Sequence, residues 1–60
     1  MEGLIIMTLL SILNNYSKEY AESGNTALLP AIGRIAERIE NETGKKLKVV
    51  VEKNVAKYSL

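Results

Sequence analysis

A chain of 60 residues has room for one domain, and 47% hydrophobic with 25% charged residues is the balance of a folded globular domain, not of a disordered segment. Eight Lys and Arg against seven Asp and Glu leave a net charge of +1, which points to no polyanionic partner. Cys, His and Asp are all absent, which removes disulfides, thiolate metal sites and the commonest general base, so no enzyme activity and no cofactor are expected.

The run Leu4-Ile5-Ile6-Met7-Thr8-Leu9-Leu10-Ser11-Ile12-Leu13 is almost wholly apolar. It is about half the roughly 20 residues a spanning helix needs, so no membrane span is expected. Its flank Met1-Glu2-Gly3 lacks the positive charge that opens a secretory signal. The lack of Cys suits a reducing compartment, and a cytoplasmic location is the resulting expectation. On a helical wheel, Ile5, Ile6, Leu9, Leu10, Ile12, Leu13, Tyr16 and Tyr20 fall within an arc of roughly 160°, opposite Thr8, Ser11, Asn15, Lys18 and Glu19. Leu4 and Met7 lie outside that arc as candidates for a second contact. The pattern predicts a helix from about residue 4 to 22, closed by Ser23-Gly24-Asn25. A variant breaks it into two helices near Asn14-Asn15, since Asn favours turns over helix interiors.

Leu28, Ile32, Ile35 and Ile39 mark a second helix, flanked by Leu29, Ala31 and Ala36 and stopped by Gly44. Pro30 is compatible with it only in the first turn, so the helix begins near Leu28 or opens with a distorted turn. Asn25 or Thr26 offers the capping group. The outer face carries Arg34, Glu37, Arg38, Asn41 and Glu42, with Arg38 and Glu42 spaced to pair.

From Lys46 the periodicity turns to alternation, and Val49-Val50-Val51 favours a strand. A two-residue loop at Lys53-Asn54 pairs Leu47 with Leu60, Val49 with Tyr58 and Val51 with Ala56 on one face. The other face then takes Lys48 with Ser59 and Val50 with Lys57. The loop lacks the Gly usual in such turns.

These elements give an α+β unit in a single domain over residues 1–60, two helices followed by a C-terminal β-hairpin (α-α-β-β). So small a domain buries little of its own surface. The expectation is therefore a homodimer or higher assembly that binds protein and has no catalysis, either an interaction or a regulatory module. Two modes of pairing fit, one through the first helix and one by joining hairpins into a four-stranded sheet. The first places Leu4, Ile5, Met7, Leu9, Ile12 and Tyr16 at the contact.

A helix followed by a hairpin also resembles a winged helix-turn-helix, with residues 9–16 and 17–23 as the first two helices, 26–43 as recognition helix and 45–60 as wing. That resemblance implies a DNA-binding transcriptional regulator. Lys45, Lys46, Lys48, Lys53 and Lys57 would then contact phosphates, and Arg34 and Arg38 would contact bases or backbone.

Overall fold

The computed structural model describes residues 2–60. It contains α1 (Glu2–Ser23), α2 (Leu28–Thr43), β1 (Lys48–Glu52) and β2 (Val55–Ser59), in the order expected from the sequence. The helices are joined by four residues, 24–27, and pack against each other, and the strands form one antiparallel sheet.

α1 runs unbroken through Asn14 and Asn15, so the variant with a turn there does not form. The winged arrangement requires two helices within this stretch and is absent for the same reason. α1 ends where Gly24 adopts a positive φ of 69° and donates its N–H to the Tyr20 carbonyl at 2.8 Å. Asn25 then turns the chain. Its side-chain Oδ1 accepts from the Ala27 N–H at 3.0 Å and its carbonyl accepts from the Leu28 N–H at 3.1 Å. α2 therefore starts at Leu28 with Pro30 as its third residue, inside the first turn, where its missing N–H breaks no helical bond. Gly44, again at φ 69°, closes α2 by donating to the Glu40 carbonyl at 2.8 Å.

Four side chains make the buried core: Ile6 and Leu13 from α1, Ile32 and Ile39 from α2, a seven-residue spacing on each helix. Leu13 and Ile39 are fully enclosed. Leu9, Leu10, Tyr16, Tyr20, Leu28, Ile35, Ala36, Leu47 and Tyr58 pack around them. Ile5 and Ile12, which the wheel groups with the buried residues, stay exposed. They sit about 100° around α1 from Ile6 and Leu13, beyond the strip that α2 and the hairpin cover. An apolar arc of that width exceeds what two neighbours can shield.

Within the strands the hairpin has the predicted register, with Lys48 opposite Ser59, Val49 opposite Tyr58, Val50 opposite Lys57, Val51 opposite Ala56 and Glu52 opposite Val55, while the expected Leu47–Leu60 pair is not part of the ladder. Lys53 and Asn54 both take positive φ, 51° and 65°, the signature of a two-residue type I′ loop reached without glycine. Only one strand is docked, however. β2 packs against α1, whereas β1 packs on neither helix and is exposed along its whole length. The apolar face expected to lie on the helices does so through Leu47 and Tyr58; Val49 and Val51 remain largely in solvent.

The folded chain exposes 4544 Å². A compact monomer of 6.6 kDa is expected to expose roughly 3,900 Å². The excess is of the order of one side of a standard protein interface, roughly 800 Å².

Candidate interaction surfaces

The two outer edges of the hairpin differ in chemistry. Residues flanking a two-residue loop form a hydrogen-bonded pair, and pairs alternate from there along an antiparallel ladder. Glu52 and Val55 are thus bonded to each other, while Val51–Ala56 and Val49–Tyr58 are non-bonded pairs whose N–H and C=O groups point outwards. On β2 these outward groups meet α1. The Asn14 carboxamide accepts from the Tyr58 N–H at 2.7 Å and donates to the Tyr58 carbonyl at 3.0 Å. It imitates the peptide group of a neighbouring strand. One turn on, the Ser17 hydroxyl, only 5% exposed, donates to the Ala56 carbonyl at 2.6 Å.

The same accounting on β1 finds no partners. Among the described residues, nothing outside the hairpin bonds to the outward N–H and C=O groups of Val49 and Val51. The nearest anchor is the N–H of Leu47, just before the strand, which donates to the Glu40 carboxylate at 3.0 Å. β1 is therefore an open edge with three successive exposed valines, Val51 at 68%.

A second unshielded region lies at the start of α1. Leu4, Ile5 and Met7 are exposed by 66%, 50% and 70%, and Ile12, two turns on from Ile5 along the same side of the helix, is exposed as well. Leu9 and Tyr16, expected at the same contact, are instead half-buried and packed against the core. Tyr16 lies in a groove with Pro30, Ala31, Arg34 and Ile35 of α2.

The basic residues do not gather on one face. Arg34 and Arg38 are exposed on α2, set roughly 120–160° around the helix from Glu40, whose carboxylate marks the side facing the hairpin. Lys48 and Lys57 lie on the hairpin, Lys53 in its loop, and Lys45 and Lys46 in the connection before it, all exposed. Two of the cations are already paired, Arg38 with Glu42 at 3.5 Å and Lys57 with Glu52 at 3.4 Å.

Nor do reactive groups converge. Among the described residues no cluster of three or more metal-binding side chains occurs. A depression of about 490 Å³ between α1 and β2 is lined by Asn14, Asn15, Lys18, Val55, Lys57, Tyr58 and Ser59. Its best-placed polar group, the Asn14 amide, is already committed at both ends to the backbone of Tyr58. No helix among the described residues is long and apolar enough to cross a membrane. No protein-family model, curated protein or solved structure matches the chain.

Proposed function

We propose that this chain is a non-enzymatic module, cytoplasmic in location, that works by binding protein and self-associates to do so. One observation carries the reading: a large share of the apolar side chains is left in solvent. Four hydrophobic residues form the core, against nine large hydrophobic residues exposed, among the described residues. The exposed ones are concentrated on the first turns of α1 and on β1. Apolar surface grouped in this way marks a protein contact far more often than scattered single residues do. Leu4, Ile5, Met7 and Ile12 are the α1 residues proposed to meet another chain.

Sedimentation equilibrium tests the proposal. The parent protein is expected to show concentration-dependent self-association, weakened by Met7→Glu or Ile5→Glu with the helical circular dichroism intact, because both side chains are exposed. Leu9→Glu is a poorer probe, since Leu9 packs against the core and its loss mixes unfolding with dissociation. A parent that stays monomeric up to millimolar concentration would rule the reading out. So would tight duplex DNA binding that falls steeply with salt and is lost on Lys46→Ala or Lys48→Ala.

A further inference from the structure

We propose that two copies of this chain join through β1, antiparallel about a two-fold axis at Val50, to make one continuous four-stranded sheet. This rests on the self-association reading above and adds, beside the α1 contact proposed there, a second place at which copies meet. The strand reads Lys48-Val49-Val50-Val51-Glu52, and run antiparallel against itself it is its own complement. Lys48 falls opposite the second copy's Glu52, Val49 opposite its Val51, and Val50 opposite its Val50. Opposite charges thus meet at both ends, with valine facing valine between them.

The unused backbone groups select that register. Val49 and Val51 carry the outward N–H and C=O groups, and setting them opposite each other makes four hydrogen bonds across the axis. A slip by one residue sets those groups against residues whose own groups point inwards, and the ladder is lost. A slip by two in one direction brings Val51 opposite Leu47, whose N–H is held by Glu40 at 3.0 Å. A slip by two in the other direction brings Val49 opposite Lys53, which is in the turn at φ 51°. Only the register centred on Val50 uses the whole strand. In it Glu52 lies between Lys57 of its own chain, already at 3.4 Å, and Lys48 of the second copy.

β1 packs on neither helix, so its outer side is open from Lys48 to Glu52. The joined sheet would also extend the face that Leu47 and Tyr58 present to the core, setting Val49 and Val51 beside their counterparts. Five paired residues bury less than a standard interface, so the dimer is expected to dissociate measurably on dilution.

Charge exchange and crosslinking test the register. By sedimentation equilibrium, Lys48→Glu and Glu52→Lys should each weaken association about tenfold or more, since every dimer then holds two like-charge pairs. An equimolar mixture of the two variants should associate again, because the mixed dimer restores both opposite-charge pairs. The natural chain has no Cys, so a single Val50→Cys reports directly. Val50 faces its counterpart in a non-bonded pair at roughly 4.5 Å between Cα atoms, close enough for a disulfide. Val50→Cys should form covalent dimers under mild oxidation and Val49→Cys, two residues out of register with itself, should not. If the parent associates but the charge variants associate as strongly, or Val49→Cys crosslinks as readily as Val50→Cys, the copies meet elsewhere and only the β1 register is lost. If the parent does not associate at all, the register and the reading beneath it fall together.

Discussion

β1 and β2 have equal length and share one ladder, yet their outer sides are treated differently. Along β2 the outward groups of Tyr58 and the Ala56 carbonyl are bonded to Asn14 and Ser17 of α1. Along β1 the equivalent groups of Val49 and Val51 have no partner among the described residues. A two-stranded sheet is marginal in water, and an open edge is a template for further pairing. Here one edge is sealed by side chains of a helix, which leaves a single direction in which the sheet can grow.

Asn14→Ala should have the largest effect on this contrast. The change improves helix propensity by roughly 0.6 kcal/mol. It also removes two hydrogen bonds and leaves the partly buried Tyr58 N–H and C=O unsatisfied, which costs about 2–3 kcal/mol. The second effect wins, for a net loss of about 2 kcal/mol in urea unfolding, a large part of the roughly 3–9 kcal/mol expected for a domain of this length. Asn15→Ala, at an exposed neighbour, should show no such loss.

Ser17→Ala comes next. It removes the single bond to the Ala56 carbonyl, and a loss of about 1 kcal/mol is expected by the same measurement. The smallest change is a gain. Asn54→Gly relieves a positive φ of 65° in the loop, and both strands should become more protected by a few tenths of a kcal/mol.

The elements, their order and the hairpin register were legible in the sequence because each rests on local periodicity and turn chemistry. Sorting of side chains by face fixed Val49 opposite Tyr58 even though Lys53-Asn54 is an unusual loop. Which strand would dock was less legible, because alternation is the same for an edge strand that packs and one that does not. In the sequence Asn14 marks only a variant break in a helix predicted to run through it, whereas its amide in fact serves as a surrogate strand for β2. A signal was present: Ser17 lies within the apolar arc between Ile6 and Leu10, and a polar residue there calls for a buried partner. Periodicity alone could not say that the partner would be backbone some 40 residues away. At the candidate contact, Leu4 and Met7 stood out because they fall off the main stripe. The separation of exposed Ile5 and Ile12 from half-buried Leu9 and Tyr16 depended on how much of α1 its neighbours can cover.

Amide hydrogen exchange followed as a function of protein concentration tests the central claim most directly, since it reads the two edges residue by residue. At high dilution the Tyr58 N–H, bonded to Asn14, should exchange slowly, while the outward N–H groups of Val49 and Val51 should exchange at nearly free-chain rates. As concentration rises, the Val49 and Val51 amides should gain protection together and Tyr58 should change little. Val49 and Val51 amides that exchange rapidly at every concentration, or are protected even at high dilution, would contradict an open edge that a second copy closes.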